Sequence, residues 1–319
     1  MTRRSLLATI CSLSVLLATP AFARHIVKIP VDAFPGQIAV NVKTNKVYVV
    51  HANPAGTVDV IDGASNALLT TIPVGSSPAG IAINQLTNRI YVANLGDDTV
   101  SVIDGSGDTV LSTFPVDDAP VSVAVNPRTN RIYVLNFGSS DISVIDGTSN
   151  QTIATMKDSN FPLSTVTVNP QTNRIYVGIL PDNFAAFDGA TNTLLYTIQL
   201  ARGAKRPQVG DIQVDSALNR VYIVDRTNGQ LYVIDGTDGS TTAIGPLGAA
   251  FVMAVNAATH GILVGTGYDN HLLVIDPNTF DVTTSLPINF SDGIAVNPVT
   301  TEIYVSLFYL NTVTVLNAH

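Results

Sequence analysis

The sequence predicts an all-β fold: a seven-bladed β-propeller of four-stranded antiparallel blades, closed by the mature N-terminal strand joining the last blade. Three observations predict it. A tyrosine recurs at Tyr48, Tyr91, Tyr133, Tyr176, Tyr222 and Tyr304, with Leu263 holding its place once, at steps of 41 to 46 residues. Each unit carries four short apolar runs separated by turn residues, the pattern of a propeller blade. Of 24 acids, all but Glu302 are aspartate, a residue of turns where glutamate belongs to helices.

Taken in order, the chain opens with a segment outside the fold. Residues 1–23 read as a secretory signal peptide: Arg3 and Arg4 supply a positive start, Ser5 to Ala18 an apolar stretch, and Ala21-Phe22-Ala23 a small-residue cleavage site. Cleavage is predicted after Ala23. Thr2-Arg3-Arg4-Ser5-Leu6-Leu7 also resembles a twin-arginine export signal, so both export routes stay open. The apolar stretch is short for a membrane span, and no transmembrane segment is expected in the mature chain. The expected location is therefore periplasmic or secreted. Cys11, the single cysteine, lies in this segment, so residues 24–319 hold no disulfide, thiolate nucleophile or cysteine-ligated metal.

The mature chain from Arg24 has 296 residues (319 minus 23), close to seven periods. In the second unit the four runs are Gly80 to Ile83, Arg89 to Asn94, Thr99 to Ile103 and Thr109 to Phe114. Asn84 to Asn88, Asn126 to Asn130 and Asn169 to Asn173 are hairpin punctuation between first and second runs. The first runs, such as Val123-Ala124-Val125, are apolar at successive positions, as strands covered on both faces must be. Their Ala, Gly and Ser content suits an innermost strand where blades converge. The fourth runs, such as Leu68 to Ile72, are threonine-rich and suit an outer edge. A turn aspartate closes the third run at Asp62, Asp104, Asp146, Asp188, Asp235 and Asp276, with Asn317 ending the series. Such aspartates are expected to cap their own turns. The seventh unit lacks a fourth run, and His25 to Val31 resembles one, so the N-terminus is predicted to complete the last blade.

Tyr91-Val92-Ala93-Asn94 and Tyr133-Val134-Leu135-Asn136, each followed by Val-Ile-Asp-Gly, resemble the YVTN-repeat β-propeller family of YncE-like proteins. The resemblance covers all seven units. The fourth motif position drifts to His51, Ile179, Asp225, Thr266 and Leu307. What the resemblance implies is an exported or surface-associated propeller of the WD40-like kind acting as a binding or scaffold module. No catalytic motif carries over with it.

Function is sought where the copies differ. The second-to-third loops and the inter-blade connections share one face and diverge, and variable loops on a rigid scaffold are the usual seat of binding. Gln37 and Asp211 stand where other units have Gly80, Ser122 or Thr165, and Asp292 lies one residue earlier in its own unit. His51 and Asp225 replace Asn, and Arg226 follows. The longest inter-blade step places Arg202, Lys205 and Arg206 in one loop. These nine residues form the predicted ligand site, at the channel mouth, for a protein, peptide or small polar ligand. The alternative is a solvated loop whose charges pair locally. Phe308 and Tyr309 add a possible contact patch.

No catalytic residue, metal site or cofactor is predicted. Haem attachment, Gly-rich phosphate loops and nucleophile elbows are missing from the sequence, as is Trp. Removing Arg3 and Arg4 takes the net charge from −8 to −10, and an acidic exported chain is a poor general nucleic-acid binder. The expected function is a non-enzymatic, monomeric binding module. Two alternatives remain: a lactonase-like or metal-dependent enzyme using Asp211, Asp292 and His51 at the channel mouth, and a structural repeat of a cell-envelope layer.

Overall fold

The computed structural model describes residues 26–157, 162–200, 205, 207–267, 269–289 and 292–317. The predicted signal segment, Arg202 and Arg206 lie outside the described residues. Seven four-stranded antiparallel sheets form the blades. In order they comprise residues 35–73, 78–115, 120–156, 163–199, 209–244, 250–287 and, for the seventh, 293–317 with 26–30.

Strand boundaries follow the repeat. The second blade runs Pro78–Asn84, Arg89–Asn94, Thr99–Asp104 and Thr109–Pro115, each within one or two residues of the predicted runs. The second and third strands are buried at nearly every position because a neighbouring blade covers each face. The fourth strand is exposed at most positions, as an outer edge is. First strands of successive blades pack against one another around the axis. An added Cβ at Gly80 would lie 2.9 Å from Ser122 Cα, so the spacing between innermost strands itself excludes a side chain there.

The core is shared between blades rather than held within them. Tyr48 of blade 1 packs with Ile81, Ile90 and Val92 of blade 2. Tyr304 of blade 7 packs with Val47 and Val49 of blade 1, which closes the apolar ring. All six repeat tyrosines are fully buried.

Polar ties on the uniform face reinforce the seams. The Asn ending one innermost strand donates to the turn Asn of the next blade: Asn41 to Asn88 at 2.7 Å, Asn84 to Asn130 at 2.8 Å, Asn126 to Asn173 at 2.7 Å. The same tie joins Asn169 to Asn219 at 2.9 Å and Asn297 to Asn45 at 2.7 Å. The acceptor residues sit at positive φ, a conformation Asn tolerates. Between blades 5 and 6 the tie is instead Asp215 to His260, Oδ2 to Nδ1 at 2.7 Å. The arginine of the repeat also reaches across: Arg89 and Arg220 donate to the carbonyls of Gly147 and Pro277 at 2.9 and 2.6 Å. The turn aspartates accept from their own turns, Asp146 from the N–H groups of Thr148 and Ser149 at 3.0 and 2.9 Å.

The closing strand Ile26–Pro30 pairs antiparallel with Thr312–Asn317, from Ile26 opposite Leu316 to Pro30 opposite Thr312. The last blade is thus completed from the other end of the chain. Because strands alternate direction, every first strand begins, and every second strand ends, on the variable face.

Candidate functional site

A channel of about 1060 Å³ runs between the innermost strands. Of the residues lining it, three carry charge: Asp211, Arg226 and Asp292. All three lie at the variable-face end, on blades 5 and 7, and Phe251 of blade 6 stands between them. The rest of the wall is uncharged.

Arg226 follows the second strand of blade 5, where the other blades have Ala52, Leu95, Phe137, Leu180, Gly267 and Phe308. Gly210 gives its stem room, since a Cβ there would sit 3.1 Å from Arg226 Cγ. The guanidinium lies over the Phe251 ring, 5.7 Å from its centroid, in a cation–π arrangement. Arg226 forms no ion pair among the described residues.

The two carboxylates differ in their partners. The innermost strands of blades 1 to 6 begin with a β-bulge, which shifts the register between Val209 and Ile212 in blade 5 and between Pro35 and Ile38 in blade 1. Asp211 accepts from Ile212 N at 2.8 Å and from Met253 N of blade 6 at 3.0 Å, and Gln213 Nε2 lies 3.3 Å away. Burial pushes its carboxyl up to about 6, against those donors and the nearby Arg226 charge. Gln37 makes the same kind of tie, accepting from Ile81 N of blade 2 at 3.3 Å, and Ser122 accepts from Val166 N at 3.3 Å. This polar position therefore satisfies a backbone donor of the next blade. Asp292 accepts no hydrogen bond from any described residue. Burial raises its carboxyl above the usual range, and Arg226 pulls it back.

His51 and Asp225 do not join this group. His51 is fully buried inside blade 1, its Nε2 3.1 Å from Asp59 Oδ2 and its Nδ1 3.3 Å from Ala33 O. Asp59 occupies the place of Ser101 and Ser143, which bond Asn94 and Asn136 in blades 2 and 3 at 2.9 Å each. The pair is thus a larger version of the repeat's own polar contact. Asp225 is fully buried and accepts from Gln208 N at 3.0 Å, Thr227 N at 2.8 Å and Asn228 Nδ2 at 2.8 Å. Both residues face local partners because the fourth motif position points between blades, not into the channel. Among the described residues, no group of three His, Cys, Asp or Glu is placed to hold a metal.

Lys205 is exposed, and its backbone N–H donates to Asn228 Oδ1 at 3.1 Å, which ties this residue to the second-to-third loop of blade 5. Phe308 packs on Phe34 and Tyr309, both centroid distances 5.2 Å, at the seam of blades 7 and 1. Phe251 was not singled out by sequence. Its signal was a bulky residue at the start of an innermost strand, where blades 1, 2 and 5 have Gly36, Ala79 and Gly210.

No family model matches the chain, and no curated protein matches it either. Among solved structures, hydrazine synthase of Kuenenia stuttgartiensis superposes with a TM-score of 0.81 at 15% identity, covering 91% of this chain and 97% of that one. Identity at that level speaks to architecture alone. The chain is an all-β, seven-bladed propeller, similar in fold to that protein.

Proposed function

We propose that this chain is an exported binding module of the YVTN-repeat kind, whose ligand sits at the variable-face mouth of the central channel. One observation carries the reading. The channel's charged residues are gathered in one arc, and two of them, Arg226 and Asp292, feel each other's charge but make no direct side-chain ion pair or hydrogen bond with any described residue. A partly buried carboxylate without a donor is costly, and a ligand that supplies one removes that cost. Elsewhere the repeat satisfies its polar groups across seams, as Asp211 and Gln37 illustrate. Export rests on residues 1–23, and family membership on the tyrosine and Val-Ile-Asp-Gly motifs.

The test is a thermal-shift screen of amino acids, organic acids, sugars and nucleotides against the full chain and the double variant Arg226→Gln/Asp292→Asn. Hits should raise the melting temperature of the parent and lose that effect in the variant. Hits that stabilise both proteins equally would move the site elsewhere.

A further inference from the structure

The arc at the channel mouth constrains the chemistry of what fills it, and the following deepens the channel reading proposed above and rests on it. Arg226 offers a planar set of donors and Asp292 a set of acceptors; each feels the other's charge, yet they are not in direct ion-pair contact. Their charges are opposite and both face one channel. Asp211 cannot serve as a second acceptor on equal terms, because Met253 N and Ile212 N already occupy its oxygens at 3.0 and 2.8 Å. On the blade between those of Arg226 and Asp292 lies Phe251, whose ring already carries the Arg226 guanidinium at 5.7 Å.

A ligand with a single negative charge would satisfy Arg226 and leave Asp292 without a donor. A ligand with a single positive charge would do the reverse. A sugar could bond both, but would bring neither a two-pronged carboxylate to the guanidinium nor a charged donor to Asp292. We infer that the channel mouth takes a small zwitterion, an α-amino acid with an apolar or aromatic side chain: carboxylate on Arg226, ammonium on Asp292, side chain against Phe251. An Arg–carboxylate pair is planar and commonly two-pronged, and charge-assisted bonds of this kind are the strong ones. The side chain finds an apolar rim in Phe137, Leu180 and Phe308, which occupy the positions equivalent to Arg226 in blades 3, 4 and 7.

Isothermal titration of the full chain with three probes tests this: L-phenylalanine, 3-phenylpropionate, which keeps the carboxylate alone, and phenethylamine, which keeps the amine alone. L-phenylalanine should bind at least tenfold more tightly than either analogue. Arg226→Gln and Asp292→Asn should each weaken it at least tenfold. The Arg226 side chain is exposed and outside the core, so Arg226→Gln should keep the parent melting temperature and serve as the folding-neutral variant. Equal binding of a one-charge analogue, or no binding of L-phenylalanine, overturns the zwitterion. Should the thermal-shift screen then give a sugar or organic acid whose effect vanishes in the double variant, the channel site stands and the ligand class falls. If no ligand depends on these two residues, both readings fall.

Discussion

Asp211 serves two ends at once. Its oxygens hold the first strand of blade 6 through Met253 N, while its burial penalises the charge that makes it a good acceptor. The sign of the pH effect follows. The folded carboxyl titrates near 6 and the unfolded one near the ordinary aspartate value of about 3.9, so between them the folded state holds more protons. The contribution of Asp211 to stability therefore falls as pH rises from about 4 to about 6 and stays reduced above that. Asp211→Asn keeps a carbonyl acceptor for Met253 N and removes the charge. Denaturant titrations at pH 4 and pH 7 should show that this variant loses less stability over the interval than the parent, by on the order of 1–3 kcal/mol. An identical pH slope in both proteins would contradict it. The turn aspartates act in the opposite sense: backbone N–H groups hold Asp146 and Asp188 below the usual range, and that contribution is lost as pH falls through their lowered values. At this scale the turn caps were readable in sequence, because an Asp-Gly turn bonds within four residues. The roles of Asp211 and Gln37 were not, because their partners are 42 and 44 residues away.

At the scale of the element, the most exposed piece of the design is the closing strand. Ile26–Pro30 is five residues long, joins sequence ends nearly 300 residues apart and places Ile29 in the core shared by blades 7 and 1. Without it, Thr312–Asn317 becomes an edge strand and loses a full ladder of backbone bonds. Deleting residues 24–31 should lower the melting temperature by several degrees at least, in line with about 1–3 kcal/mol for each buried aliphatic side chain lost. A melting temperature equal to the parent's would show that the strand does not close the ring. The missing fourth run of the last unit made this pairing legible in the sequence, since a blade with three strands needs a fourth. The Asp215–His260 seam was legible only as two departures from Asn. That the two departures meet is a fact of blade stacking.

For the molecule as a whole, the shared cores govern how it unfolds. Each apolar cluster draws on two neighbouring blades, and the seventh returns to the first. An open solenoid can fray from its ends, but a closed ring in which every seam is shared has no free terminal unit. Differential scanning calorimetry should therefore give one transition, with calorimetric and van't Hoff enthalpies in agreement. Two transitions well separated in temperature would mean that some seam is weak enough to split the ring.

By itself the sequence determined the fold: seven tyrosine-paced units, four runs in each, and an N-terminal run to complete the last. Those features are local or periodic, and local spacing and burial pattern are what a linear chain can record. Tertiary structure alone decided which exceptions to the repeat belong together. His51 and Asp225 deviate from the motif as clearly as Asp292 does, yet they turn between strands and find partners within their own blades. Arg226, Phe251 and Asp292 meet at the channel because the ring brings three successive blades to one axis. The direction in which a side chain leaves its strand, and what the next blade sets opposite it, depends on closure of the whole ring.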